Sequence, residues 1–449
     1  MTPDSLVALE TTFNQLVEAL LQQRQTDEHL ILHLTAEQSQ FTRFNQAKVR
    51  QTGLVRDGNL SLTLMRDQRT GSYEIPFTGE KGTDWPRLQM ALEALRQELP
   101  QLPIDPFLVL PSGEAQSHSV HAGSLLTPEA IASTVLPLVQ GLDFAGLYAG
   151  GWVIRAYADS VGQRHWFATE TFALDYSLFA PSGQAVKDTV AGSVWDTSAY
   201  TSKIQAAKRQ LERLTATPPK VLERGQYRTY LAPAAVADLI GMFSWGAVSE
   251  GAMQRGGSAL GLLQRGEKQL SPQFTLMENF QRGVVPQFND LGELPPITLP
   301  IVEAGQLKNT LISARTAKEY SKIANGAASG EYLRSPEVKP GTLSAVDLLH
   351  TLDTGLYVSN LHYLNWSDRP NGRITGMTRY ACFWVENGEW VAPIENLRFD
   401  ESLYRCFGDR LIHLTAFQEF IPHVGTYGSR ELGGTWVPGM LMEEFTYTL

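Results

Sequence analysis

The chain has 449 residues, 43% of them hydrophobic and 19% charged, which is enough for two or three globular domains with substantial cores. Its formal net charge of −10 argues against a nucleic-acid surface, because such surfaces depend on Lys and Arg contacts to phosphate. The N-terminus carries acid where a signal peptide carries base, and no stretch approaches the roughly 20 apolar residues of a membrane span. With only two cysteines, Cys382 and Cys406, the composition predicts a cytoplasmic protein with reduced thiols and no membrane contact.

The first half of the sequence alternates between helical and strand patterns, in an order that predicts an α+β fold with local antiparallel pairing. A Pro-, Ser- and His-rich stretch at 102–122 predicts an exposed linker, and a sub-boundary within 100–125. The predicted elements are helices at 5–23, 84–99, 128–139 and 200–215, and strands within 29–52 and at 59–64, 144–154, 155–158 and 165–180.

Pro218 and Pro219 mark the best domain boundary, which divides the chain into an N-terminal α/β domain, 1–218, and a β-rich C-terminal domain, 219–449. The second part opens with a strand from Tyr227, a turn at Pro233 and an amphipathic helix that leads into a Gly-rich segment. Beyond it the sequence predicts hairpins at 297–312 and 377–394, and short helices at 317–323 and 344–352.

Metal-binding and phosphate-binding motifs are weak in this sequence. His118 and His121 form half a metal site at most, and a solvated loop is the favoured interpretation because no third ligand is nearby. His29 and His33 lie four apart on a predicted strand, ~13 Å from each other, which is too far to share one metal ion. The sequence contains no dinucleotide or P-loop glycine motif and no G-x-S-x-G nucleophile elbow.

Other reactive or ligand-binding candidates also have ordinary structural explanations. Cys382 lies in a strand among aromatic residues, where a buried inert thiol is expected, and Cys406 has no assignable catalytic partner. The segment 368–373 predicts a β-turn, with pocket lining as the alternative. Four tryptophans cluster in the C-terminal part and predict core or barrel-rim positions, with an aromatic-lined peptide groove as the alternative; they are Trp366, Trp384, Trp390 and Trp436.

Taken together and in order, several stretches resemble the TldD/TldE (PmbA) family. They include Gly256-Gly-Ser-Ala-Leu, which resembles the segment after the central helix of the family, and Glu386-Asn-Gly-Glu, which resembles a hairpin of the family. The match runs from about residue 30 to the C-terminus. The remaining stretches are 41–51, 157–165, 231–239, 288–294, 303–308 and 316–317.

The TldD type in this family is a zinc peptidase, and the resemblance identifies the positions of its metal motif. A helix there carries His-Glu-x-x-x-His, a later Cys completes the ligands, and the Glu serves as general base. In this sequence the two His positions fall on Gly241 and Gly246, the Glu on Met242 and the Cys near Val424. Because none of these side chains can do that work, the resemblance implies no cofactor here and zinc only in a partner subunit.

The resemblance is closest to the metal-free TldE/PmbA type. It implies a non-catalytic subunit that pairs with a TldD-like chain in a heterodimer that degrades or processes unfolded or extended peptides. It also implies a strongly curved, barrel-like C-terminal sheet with a packed helix. Trp366, Asp368, Arg373 and His423 are the expected peptide contacts. The alternatives are a stand-alone homodimeric peptide-binding or scaffold protein, and an enzyme with relocated chemistry at Cys406, His423 or Asp368.

Overall fold

The computed structural model describes residues 3–448, and within this range the strands form two sheets, of seven and eleven strands. The elements of the first sheet and its helices are α1 Pro3–Gln22, β1 His29–Asn45, β2 Lys48–Arg66, β3 Arg69–Pro76, α2 Lys81–Glu98, β4 Gln116–His121, α3 Pro128–Val135, β5 Asp143–Asp159, β6 Arg164–Phe179, β7 Ala185–Gly192 and α4 Thr197–Ala216.

The second sheet and its helices follow in the chain. They are β8 Gly225–Leu231, α5 Pro233–Ser244, α6 Glu250–Gln254, α7 Gly261–Gln264, β9 Leu276–Asn279, β10 Thr298–Glu303, β11 Gln306–Leu307, α8 Ala314–Tyr320, β12 Pro336–Val338, α9 Leu348–Leu352, β13 Gly355–Asp368, β14 Arg373–Glu386, β15 Glu389–Pro393, β16 Arg398–Ser402, β17 Leu411–Pro422 and β18 Gly434–Tyr447.

The first sheet has the order β3-β2-β1-β5-β6-β4, and β7 pairs with β6 as a branch. Its central strands run antiparallel, and every second residue of β1 and β5 packs against α1 and α2, as Leu32 and Ile154 do. The alternate residues of the same strands, such as His33 and Arg155, point to the opposite face. That face lies toward the C-terminal half of the chain.

The second sheet curls until β8 pairs with both β13 and β18, so that β8, β13, β14, β16 and β18 form a closed ring. Helix α5 packs against β13 and β18, and its apolar stripe joins the largest hydrophobic core of the protein. The prediction of an α+β fold with a strongly curved, barrel-like C-terminal sheet and a packed helix is therefore confirmed. No helix within residues 3–448 is long and apolar enough to cross a membrane.

Three local predictions are wrong. The stretch 102–122 is not only a linker, because Gln116–His121 forms β4, which gains its backbone partners from β6, distant in sequence. The segments 144–154 and 155–158 are one continuous strand, β5. The stretch 59–64 is the end of β2, which together with β1 forms one long hairpin that turns at Gln46 and Ala47, both with positive φ. The boundary at 218/219 stays a prediction, and the two sheets lie on either side of it.

Candidate functional site

Helix α5 and the turn that follows it bring two of the four predicted motif positions to the surface of a large cavity. Pro233 occupies the first turn of the helix, where its missing N–H costs nothing, and buried Leu239 and Phe243 fix one face in the core. The helix ends at Ser244, and the chain then passes through Gly246 at φ +106°. Gly241 and Gly246 both line the cavity.

The four motif positions differ in their surroundings. Gly241 is exposed, and a side chain added there would meet no atom within 4 Å. A Cβ at Gly246 would lie 2.9 Å from Arg369 Cδ and 3.0 Å from Arg369 Nη1. Met242 is 3% exposed and belongs to the hydrophobic core, and it does not line the cavity. Val424 lies in the loop after β17, where it lines a smaller neighbouring cavity.

These residues do not fit a zinc ion. The two glycines have no side-chain donor, a buried thioether is a poor ligand, and a valine has none to offer. Nor do the side chains of residues 4–448 include a group of three or more His, Cys, Asp or Glu arranged to hold a metal ion. No step of chemistry at this site is therefore assigned to zinc.

The cavity has a volume of about 910 Å³ and lies between the two sheets. Its floor is the polar face of the first sheet, where His33 and Thr35 of β1 lie beside Arg155 of β5. The opposite wall comes from the C-terminal half and includes Asp290 and the segment 328–334. A volume in this range is typical of clefts that bind small molecules or short peptide segments.

Glu331 holds part of that opposite wall together. Its carboxylate accepts hydrogen bonds from Ser249 Oγ at 2.6 Å, Gly251 N at 2.8 Å and Ser313 N at 2.8 Å. Burial alone would raise the pKa of Glu331, but these donors outweigh it and lower the pKa. Glu331 is therefore charged, and its carboxylate is occupied by hydrogen bonds within the protein.

Arg334 is committed to structure in the same way. Its guanidinium donates to the carbonyl oxygens of Phe288 at 2.8 Å and Gln287 at 2.9 Å, and it lies 4.8 Å from the ring centroid of Phe280. Burial lowers its pKa, partly opposed by the nearby carboxylate of Glu278. These bonds shape the segment that carries Asp290.

His33 joins the floor of the cavity to its opposite wall. Its Nε2 lies 3.1 Å from the carbonyl oxygen of Asp290, which can only accept, so this nitrogen carries the proton. The ring packs edge-on against Tyr157 with centroids 4.9 Å apart. Burial lowers the pKa of His33, and the nearby Asp290 partly opposes this effect. Because its pKa stays below the usual value, the imidazole is neutral near pH 7.

The loop after β17 ties the two halves of the chain together beside this cavity. Arg430 is 6% exposed and donates to Thr171 O at 2.6 Å and Gly151 O at 2.6 Å, both in the first sheet. Its backbone N–H donates to Glu37 Oε1 at 3.2 Å. Burial lowers the pKa of Arg430 to about 10, partly opposed by Glu37. His423 in the same loop lines the cavity, and its Nδ1 lies 3.1 Å from Leu432 O.

Of the four residues predicted to contact peptide, the structure brings only His423 to the cavity wall. Trp366 does not line the cavity, but its Nε1 donates a hydrogen bond at 2.7 Å to the carbonyl oxygen of Trp245, which does. Asp368 accepts from Asn371 in the predicted turn, and Arg373 forms an ion pair with Asp400.

The four tryptophans have separate surroundings, because three of them pack with different aromatic partners and Trp366 bonds to a backbone carbonyl. Trp384 packs on Tyr227 and Trp436 on Phe420. Trp390 stacks on Phe383, and Trp366 bonds to the Trp245 backbone.

The histidine and cysteine candidates have structural surroundings. His118 Nε2 lies 3.2 Å from Glu10 Oε2, and His121 packs on Phe167, so the pair sits on strand β4 rather than in a solvated loop. Cys382 and Cys406 are both free and buried. Burial raises the pKa of Cys382 to about 11 and that of Cys406 well above its usual value, so neither is an activated thiol.

The sequence did not single out most of the cavity wall. Arg155, Asp290, Glu331 and Tyr332 lie on strands or loops from distant parts of the chain, and only folding brings them together. One signal was available in β1, where polar residues at every second position from His33 onward oppose a face of leucines. Such a strand has one face on the core and one on a polar surface.

Residues 224–448 match the model of a family described as the PmbA/TldA metallopeptidase C-terminal domain. No curated protein matches the chain in sequence. Among solved structures, TldE from Thermococcus kodakarensis has a TM-score of 0.75 at 14% identity, covering 98% of this chain and 100% of that one.

Two further solved structures are described as proposed modulators of DNA gyrase. The protein from Thermotoga maritima has a TM-score of 0.75 at 14% identity, with 98% of this chain and 100% of that chain covered. The protein from Bacteroides thetaiotaomicron has a TM-score of 0.76 at 15% identity, with 98% of each chain covered. At these identities the likeness concerns the fold.

Proposed function

Because the chain belongs to the PmbA/TldD metallopeptidase family, we propose that it is a peptide-binding subunit that leaves the cutting of peptides to a zinc-bearing partner. The observation that carries this proposal is the cavity of about 910 Å³ beside α5. It lies where the resemblance aligns the family's metal motif, yet Gly241 and Gly246 offer no ligand there. A binding space without a metal site suits a subunit that holds peptide.

The walls of the cavity support an extended peptide as ligand. Trp245 is 53% exposed and Tyr332 is 50% exposed, so both present aromatic surface at the cavity. His33 and Arg155 supply polar groups on the opposite side. Apolar surface with a few polar groups is the usual composition of a ligand cleft.

The proposed partner is a TldD-like chain with the His-Glu-x-x-x-His motif, and the proposed substrates are unfolded or extended peptides. The same proposal places the protein in the cytoplasm, in keeping with the free thiols of Cys382 and Cys406. Zinc belongs to the partner in this proposal, and this chain contributes cavity wall.

Co-expression with a zinc-bearing relative from the same genome tests the proposal. We expect the two chains to elute together on gel filtration, the pair to contain one zinc ion, and only the pair to cleave an unfolded protein. The matched control is a relative in which the motif Glu is replaced by Gln, which should assemble without cleaving. Stoichiometric zinc and cleavage in this chain alone would contradict the proposal.

The second candidate is a stand-alone homodimer that binds peptides without a protease partner. The same cavity supports it, because peptide binding at Trp245 and Tyr332 does not require a second chain type. Gel filtration with light scattering on the isolated chain separates the two. A dimer that binds peptide and ignores every zinc-bearing relative favours the homodimer.

A further inference from the structure

Arg155 lies on the cavity floor, and its guanidinium forms no ion pair with a carboxylate of the described residues. It lies on β5 directly opposite Thr35 of β1, and both residues line the cavity. Burial lowers its pKa, partly opposed by the charge of Glu37, so the guanidinium is substantially removed from bulk water. A desolvated charge is costly unless a partner compensates it.

The hydrogen bonds of Arg155 leave most of its donors free. A guanidinium has five N–H groups, and one nitrogen, Nη1, donates to Ile154 O at 2.8 Å. Within residues 4–448, Nε and Nη2 of Arg155 have no hydrogen-bond acceptor, and no carboxylate lies within 4 Å. Neither nitrogen is fully enclosed, so both are accessible from the space around Arg155, which lines the cavity of about 910 Å³ and a smaller one beside residues 427–430.

The nearest carboxylate is already in use. Glu37 lies diagonally across the strand pair, and its Oε2 accepts from Ser39 Oγ at 2.6 Å. Its Oε1 accepts from the backbone N–H of Arg430 at 3.2 Å. Glu37 thus holds the loop that carries Arg430 instead of pairing with Arg155.

The other charged residues of the cavity lining also have hydrogen-bond partners within the protein. Arg334 donates to backbone carbonyls, and Glu331 accepts three hydrogen bonds from α6 and α8. Asp290 Oδ1 accepts from Ser329 N at 3.1 Å on the opposite wall. Arg155 is therefore the arginine of this wall whose planar donor fork remains available to a ligand.

We propose that Arg155 binds a carboxylate of the peptide in the cavity, and so makes carboxylate-bearing peptides the preferred ligands of this chain. The inference rests on the proposed peptide-binding function and deepens it. Arginine suits this role because its fork matches a carboxylate with two parallel hydrogen bonds. The carboxylate comes from the peptide's C-terminus or from an acidic side chain, and both sources have the same chemistry.

Binding of matched peptides to the full-length chain tests this. The probes are fluorescein-labelled, unstructured octapeptides of alanine, serine and leucine in three forms: free C-terminal acid, C-terminal amide, and amide with one internal aspartate. Fluorescence anisotropy should show the free acid, the aspartate peptide, or both, binding about tenfold more tightly than the plain amide. The form that gains identifies the source of the carboxylate.

Variants assign the gain to Arg155. Arg155→Met should lose the tenfold preference, and an unchanged circular dichroism spectrum and melting temperature would show that the variant is folded. Arg155→Lys should retain part of the preference, because it keeps the charge and loses the fork. Arg50→Gln, at an exposed position of β2, is the matched control and should keep the full preference.

The outcomes separate this inference from the proposed function. Equal affinity for all three peptides in the wild type would overturn the role of Arg155 and leave peptide binding intact. A preference that persists in Arg155→Met would overturn it as well. Failure of every peptide to bind, alone or in the presence of the zinc-bearing relative, would overturn the proposed function and this inference with it.

Discussion

Alanine substitution at Gly241 and at Gly246 should shift the stability of the protein in opposite directions. Gly241 lies within helix α5, and an added Cβ meets no atom within 4 Å. Because glycine lowers helix stability through its backbone entropy, Gly241→Ala should raise the unfolding free energy by about 0.5–1 kcal/mol.

Gly246 has φ of +106°, a conformation that L-residues rarely adopt, and its Cβ would press on Arg369. The flexible guanidinium of Arg369 can move, but the backbone cannot, so Gly246→Ala should lower the unfolding free energy by about 1–3 kcal/mol. The two variants should therefore differ by about 1.5–4 kcal/mol.

Urea unfolding monitored by tryptophan fluorescence measures both effects on the same scale. We expect the urea midpoint to rise for Gly241→Ala and to fall for Gly246→Ala, with similar slopes. A Gly246→Ala variant as stable as the wild type would refute the inference that the turn after α5 requires glycine.

Three further predictions concern buried polar groups. Arg430→Ala should lower the unfolding free energy by about 3 kcal/mol, because it leaves buried carbonyl oxygens of the first sheet without donors. The matched exposed variant Arg373→Ala should cost about 1 kcal/mol or less. Equal shifts of the melting temperature in the two variants would contradict this. Because the pKa of Glu331 is lowered on folding, its contribution is present above about pH 4.5 and is lost as pH falls; acid titration of Glu331→Gln should show a weaker dependence in that window. Cys382 and Cys406 are buried and have raised pKa values, so they should react with a thiol reagent only after denaturation. Rapid modification of the native protein would contradict this and would support a catalytic role for one of these thiols.

Elements with strong local patterns could be predicted from the sequence. Helix α1 follows from its apolar stripe, and the hairpin of β14 and β15 follows from Asn387-Gly388, which adopt the positive φ values of such a turn. The same local logic predicts α5 after Pro233. The structure of these segments is determined locally, because residues close in sequence make the contacts that stabilise them.

Elements that depend on distant partners could not be predicted in this way. Strand β4 is short and polar, with His118 exposed, and it exists because β6 offers it a parallel edge. The closure of the second sheet through β8 and β18 joins residues 225–231 to residues 440–447. Sequence periodicity reports which face of a strand is buried and says nothing about which strand lies beside it.

The candidate site shows the same division. The positions on α5 could be located because the motif is local, but Arg155, Asp290 and Glu331 come from three separate regions. In the sequence, Arg155 stands between two apolar residues of a strand and resembles an ordinary solvent-facing charge. Only the register of β1 and β5 places it on a cavity floor, with Glu37 engaged elsewhere.

The packing of α5 lets the residues on its cavity side change while the fold persists. The buried face of the helix, with Leu239 and Phe243, is held by the hydrophobic core and tolerates little change. The face toward the cavity carries Gly241 against open space, so substitution of a ligand there leaves no void and no unpaired buried group. The core therefore constrains the residues on one side of α5 and leaves the cavity side open to substitution.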